Sequence, residues 1–564
     1  MSQGTRRRFL TYFSSVGLSS SLLPGVLWAR LQEADSEQVT VEMIKQAVEL
    51  AGLDFTQEEL ESLVEGVNKN LDRIKEVREV HLDNSVPLPL HFSPLVPGMV
   101  LDMTKKEFRA SEPPAVRRPA DLTDVAFWPV SHLAELIRTR QVRPTELTEM
   151  YLGRLKKFNP TLNCVVTLTE DLAREQAERA DAEIAADRYR GPLHGIPWGV
   201  KDIIAVRGYP TTWGAEPFRN QRIDRNAAVV ERLEQAGAVL LAKLTTGELA
   251  FGDLWFGGRT KNPWNPEEGS SGSSAGSGSA TAAGLVGFAI GTDTGGSILG
   301  PSARCGVVGL RPTFGRVSGY GVMNAGFSLD KVGPMCRTVE DCALVLRAIS
   351  GPDGRDLRVI YDAPFNWDAS FDVKTLRVGV FASGFEAETD EDYRATNEAA
   401  REAIRSLGIE LRPIDPPESD LNFFIEYIER AAGFDEFARS RRDQGLRRQR
   451  HRAELRTFHL VPAVEYLQAN RVRMLLMEEM ARAMSDIDVI VAPRTSSDPR
   501  KSLNPLTSMT GHPVVGVPSG FTSRGTPTGI NFVGQVFKEA EMLALAKAYQ
   551  DATGFHSRHP SLEG

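Results

Sequence analysis

Cysteine is scarce in this chain of 564 residues: Cys164, Cys305, Cys336 and Cys342 are all it has. Their spacing makes neither a dense disulfide framework nor a paired zinc-ligand set, so they read as buried thiols. No HExxH occurs and no other pattern suggests a bound ion, so neither a metal nor a cofactor is expected. An excess of positive charge is also lacking. The formal net charge is -8, whereas a general nucleic-acid binder is usually basic, and no nucleic-acid partner is expected. Past the first thirty residues no stretch is long and apolar enough to span a bilayer, which excludes a stable membrane span in the rest of the chain. No fixed-period repeat is present. The remaining composition, 41% hydrophobic and 25% charged, is that of an ordinary soluble globular protein. The length corresponds to about four domain-sized units, or fewer in a large α/β enzyme.

The N-terminus stands apart. "TRRRFLTYFSSVGLSSSLLPGVLWA" places Arg6, Arg7 and Arg8 before a modestly apolar stretch that ends near Ala29. A basic segment, an apolar segment and then small residues is the layout of an export signal. "RRRFL" fits the twin-arginine pattern, which carries proteins that are already folded. Leu27 and Ala29 make only a loose small-x-small cleavage site. Residues 1–30 therefore read as a twin-arginine-type signal and imply a periplasmic protein. Without that signal the location would be cytoplasmic.

Residues 38–95 read as a small helical unit. Thr56 and Glu59 have the spacing of a capping box, with Phe55 and Leu60 placed for a hydrophobic staple. Leu60, Leu63, Val64, Val67, Leu71 and Ile74 share one helical face, which needs a partner surface and is expected to lie on the main body. "VPLPLHFSPLVPG" is too rich in proline for helix or central strand and reads as an extended strap. Residues 96–124 continue as an extended linker. From 125 to 564, helical stretches alternate with short buried strands such as "LRVGVFA" and "DIDVIVAP", the pattern of an α/β fold with a covered sheet. The basic run 439–456 reads as a solvated helix face, with a docking site for an acidic ligand as the alternative.

Three segments carry chemistry. In "GIPWGVKDI", Lys201 follows an apolar run, and burial would lower its pKa while the adjacent Asp202 would raise it. Structurally, Lys201 would simply pair with Asp202. In "GSSGSSAGSGSA", the simplest reading is a flexible linker, but the stretch lies inside a dense α/β region. It also holds the nucleophile-elbow pattern G-x-S-x-G at Gly272, Ser274 and Gly276, without the strand that an elbow requires before it. In "GTDTGGSILGP", a strand-like run delivers the chain into Thr292–Ser297. Successive N–H groups in such a turn can converge on an anion, and a serine ending it would have an oxyanion site beside it.

Together these segments resemble the amidase signature family. "SGSSAGS", "GTDTGGSILGP", "CGVVGLRPT", "NPWNP", "SLDKVGP" and "PTGINFVG" all fit the family's motifs, and the resemblance covers about residues 125–560. It implies a mixed, twisted central sheet covered by helices on both faces. It implies that Ser297 is the acyl-enzyme nucleophile, Ser273 a bridging serine on a cis peptide, and Lys201 the base. The backbone amides of Thr294, Gly295, Gly296 and Ser297 would form the oxyanion hole. Such an enzyme hydrolyses small carboxylic amides through an acyl-enzyme, releasing ammonia or an amine, and requires no cofactor. Substrate-binding residues are not identified; segments 315–330 and 420–470 are expected to supply them. A homodimer is compatible with this reading.

The chain departs from the family in places. Leu299 and Gly300 stand where the pattern has an arginine and its neighbour, which leaves Asp293 without its usual partner unless Arg304 reaches back. Ser271 and Ala275 replace glycines. Within the helical unit 38–95, residues 39–77 are also similar to the small C-type component of the aminoacyl-tRNA amidotransferase, which implies an intramolecular brace. Two alternatives follow from the same site: an A-type component of a glutamine-dependent amidotransferase, and an esterase.

Overall fold

The structure is a computed structural model and describes residues 39–562, residue 420 excepted. Residues 1–30, read as an export signal, lie outside the described residues. Two helices come first, α1 (Val41–Leu50) and α2 (Gln57–Glu79). Thr56 and Glu59 cap α2 reciprocally, each side chain taking the other's backbone N–H. Leu60 is buried with Val39 and Ile44, and Leu63, Val64, Val67 and Leu71 pack around them. The stripe on α2 thus finds its partner in α1 rather than on the main body, so the sequence expectation is corrected: a hairpin of two amphipathic helices closes its own small core.

The main body is built on one sheet of eleven strands. The strands are β1 (Val165–Leu168), β2 (Pro197–Lys201), β3 (Val239–Leu244), β4 (Phe288–Asp293) and β5 (Val308–Arg311). They continue with β6 (Lys331–Cys336), β7 (Val378–Phe381), β8 (Leu411–Ile414), β9 (Val489–Pro493), β10 (Val514–Phe521) and β11 (Pro527–Gly534). Their spatial order is β1-β3-β2-β4-β6-β5-β10-β11-β9-β7-β8. Parallel pairing joins β3 to β2 and β2 to β4, and again β9 to β7 and β7 to β8; the centre is antiparallel. The sheet is therefore mixed. Every residue of β2, β3, β4, β6, β9 and β11 is buried, so both faces are covered, as parallel strands joined by helical crossovers require.

The strap and linker run along this body in irregular extended form. Asn84 is buried and bonds at both ends: its amide donates to Asn324 O at 3.0 Å and Gly433 O at 3.1 Å, and accepts from Asn324 N at 2.8 Å. Phe92 meets Phe314 edge to face at 5.1 Å, while the Arg473 guanidinium lies 3.5 Å over its ring. Further on, Arg109 pairs with the backbone of Trp367, and Ser111 bonds Glu340. Proline content keeps this segment out of helix and sheet, and side chains at intervals tie it down.

Candidate active site

Lys201 ends β2, a strand buried along its whole length, and its side chain has no exposure. Its Nζ lies 2.7 Å from Ser273 Oγ, 2.8 Å from Thr292 Oγ1 and 3.5 Å from Thr292 O. Burial pulls its pKa down to about 7; Asp293 and Asp330 oppose the shift and Arg430 assists it. Asp202, the expected partner, instead lies 2.8 Å from the buried Lys243 and accepts from Thr212 N. Successive residues at this strand end address opposite sides of the sheet, so Lys201 is left without a bonded carboxylate.

Ser273 sits in the turn between residue 269 and helix α3 (Ala275–Ala282). The Gly272–Ser273 peptide is cis. Gly272 is required here because a Cβ would stand 1.9 Å from Gly252 O. The Ser273 carbonyl accepts from Gly247 N at 3.3 Å, and Ser274 N donates to Ser297 O at 3.1 Å, so the two serine-bearing loops are joined directly. The elbow reading of Ser274 fails. That residue is fully buried, and its hydroxyl bonds Thr292 O at 3.1 Å and Thr292 N at 3.2 Å.

The third loop leaves β4 at Asp293. This carboxylate is fully buried and accepts four bonds: from Gly296 N and Ile298 N at 2.7 Å each, from Arg311 Nη1 at 3.1 Å and from Leu299 N at 3.3 Å. Arg311 holds its pKa below the usual carboxylate range against the cost of burial. The carboxylate thereby winds the chain around itself, and Gly296 takes a φ of 127°, which favours glycine. Two sequence expectations change. The partner of Asp293 is Arg311, while Arg304 bonds Glu268. The Gly296 amide is committed to Asp293, which leaves the amides of Thr294, Gly295 and Ser297 without a hydrogen-bond partner among the described residues. Ser297 itself is partly exposed.

Of the two segments expected to line the pocket, 315–330 reaches this turn directly and 420–470 packs against its neighbours. Thr294 Oγ1 donates to Asp330 Oδ1 at 2.6 Å, and Asp330 Oδ2 also holds Ala325 N and Gly326 N. Helix α4 (Leu421–Gly433) brings Glu429 to Ser328 and Tyr466, and Arg430 to Glu426 at 2.8 Å and to Leu249 O at 2.6 Å. Leu249 and Ala250 have φ of 50° and 64°, a left-handed turn in non-glycine residues that Arg430 braces. The basic run beyond is no plain solvated face: Arg447 N bonds Glu248 at 2.8 Å, Arg447 Nη1 bonds Trp255 O at 3.0 Å, and Arg456 pairs with Asp443 at 2.7 Å. Thr292, Arg311, Asp330 and Arg430 are site residues that the sequence reading did not assign. Of these, Thr292, Arg311 and Asp330 stand inside motifs already quoted, but no motif gave them a role.

The arrangement is a buried amine of low basicity, two linked serine loops and a turn of free amides. Comparison with known proteins defines its class. The family model described as Amidase matches residues 146–543, and the chain belongs to that family of amide-hydrolysing enzymes. It is similar to the A-type component of glutamyl-tRNA(Gln) amidotransferase from Roseiflexus sp. (strain RS-1), 35% identical over 77% of this chain and 98% of the relative. The corresponding component from Methylococcus capsulatus is 34% identical over 77% of this chain and 98% of the relative. Among solved structures, native peptide amidase from Stenotrophomonas maltophilia superposes with a TM-score of 0.70 at 29% identity, over 78% of this chain and 99% of that one. A polypeptide of the vestigial complex related to an s-triazine catabolic enzyme gives 0.71 at 27% identity, over 77% and 100%.

Proposed function

We propose that the protein is an amidase for linear carboxylic amides, exported through the twin-arginine route, and that Ser297, Ser273 and Lys201 are its catalytic residues. The observation that carries the reading is the contact between Lys201 Nζ and Ser273 Oγ, with the amine's pKa near 7. A neutral lysine can take a proton from Ser273, which in turn takes the Ser297 proton as that oxygen attacks the amide carbonyl. The amides of Thr294, Gly295 and Ser297 would hold the oxyanion, a contribution of about 3–4 kcal/mol per well-placed donor in comparable sites. Proton return through Ser273 would expel ammonia or an amine, and water would then release the acid.

Treatment with a fluorophosphonate followed by peptide mapping tests this assignment. The expected adduct is on Ser297, lost in Ser297→Ala and slowed at least tenfold in Lys201→Ala. An adduct elsewhere refutes it. The second reading, an amidotransferase A-type component, is favoured by the relatives named above and by the N-terminal helical hairpin. Release of free ammonia from simple amides by the isolated chain, with no dependence on added tRNA, separates the two. An unprocessed N-terminus and cytoplasmic retention would count against export.

A further inference from the structure

A cavity of about 420 Å³ lies behind the serine-bearing turn, lined by Ser271, Gly300, Arg304, Tyr393, Arg494 and Arg259 among others. Its volume falls in the range of small-molecule sites, roughly 300–1,000 Å³. The floor is bare: a Cβ at Gly300 would stand 3.2 Å from both Arg494 Nη2 and Ser271 Oγ, and 3.4 Å from the Gly272 carbonyl. Gly300 therefore leaves a cradle between a guanidinium and a hydroxyl.

The charges around it do not cancel. Arg259 lies 3.5 Å from Asp253, and Arg304 is paired with Glu268. Arg494 donates Nε to Leu299 O at 3.0 Å, and its two terminal nitrogens have no acceptor among the described residues. The buried carboxylate of Asp293, whose charge Arg494 feels, is already bonded to Arg311. One guanidinium charge is thus left over, facing the cavity beside a hydroxyl. A planar fork of this kind matches a carboxylate held by two parallel bonds. Phosphate carries about 1.5–2 charges near neutral pH and would ask for more donors than one arginine and one serine supply.

We propose that this cavity is a binding site for a small carboxylate, separate from the acyl site and anchored by Arg494 and Ser271. The inference stands on this cavity alone and does not depend on the catalytic assignment.

Calorimetric titration with acetate, benzoate and inorganic phosphate, each at constant ionic strength, tests it. Where the fluorophosphonate reacts, the protein is first blocked with it so that the acyl site cannot answer for the cavity; where it does not, the two variants alone assign the binding. Saturable binding of a carboxylate, weakened at least tenfold in Arg494→Gln and in Gly300→Val, is expected. Gly300→Val keeps the guanidinium and fills the cradle, so it decides the matter if Arg494→Gln does not fold. The proposal is overturned by absence of saturation, by equal affinity in either folded variant, or by phosphate binding more tightly than both carboxylates. Because the readout is binding, amide hydrolysis can fail with the site intact, and the reverse.

Discussion

Lys201 shows how one side chain acquires its chemistry from its position. Its pKa near 7 comes from burial winning over two nearby carboxylates. A base must be deprotonated to work, so kcat/KM is expected to rise with pH through about 7 and then level off, which a pH-rate profile with any small amide checks. Asp293 makes the complementary case. Its ion pair with Arg311 is fully buried, and Arg311→Met would strand the charge beneath the Ser297 turn. Loss of about 3–5 kcal/mol of stability, measured by urea unfolding, is the expected outcome. The motif residues around Lys201, Ser273 and Ser297 were legible in the sequence because they cluster in short, unusual strings. Arg311 was not, although it lies in "CGVVGLRPT". Nothing in a lone arginine says that it will fold inward onto a carboxylate eighteen residues earlier.

At the scale of elements, helix α4 acts on the serine loops without belonging to them. Arg430 holds the carbonyl of Leu249, and the same turn donates Gly247 N to Ser273 O. Its charge also helps to keep Lys201 neutral. Removing that cation in Arg430→Met favours the protonated lysine, so the rising limb of the pH-rate profile should move to higher pH while kcat falls. Arg430→Lys should restore the limb but not the full rate, because one ammonium cannot reproduce the two-armed contact. A role confined to stability would leave the limb where it is. Alternation of helix and strand was legible as α/β, and the capped helix α2 was legible from its spacing. The destination of its apolar stripe was not, since amphipathic spacing states that a partner exists and not which element supplies it. Strand order escaped for the same reason: β5 and β10 are neighbours across some two hundred residues.

Over the whole molecule, the strap ties together segments far apart in the chain. Asn84 links residues near 324, which neighbour the Thr294 turn, with the end of α4. Asn84→Leu removes these bonds and leaves buried partners unpaired, at a cost of about 1–3 kcal/mol for each group so stranded. The expected result is a lower thermal midpoint together with faster proteolysis within residues 85–105, detected by limited digestion. An unchanged cleavage pattern would mean that Phe92 and its arginine suffice to hold the segment.

Because the strap and the body it clasps are one polypeptide, the clasp does not obey mass action. A separate polypeptide making the same contacts would dissociate on dilution, whereas a tethered one meets its site at a fixed effective concentration, of millimolar order for a short connection. The completed surface around Asn324 and Gly433 is therefore as fully assembled in a single molecule far from any other as in a concentrated solution.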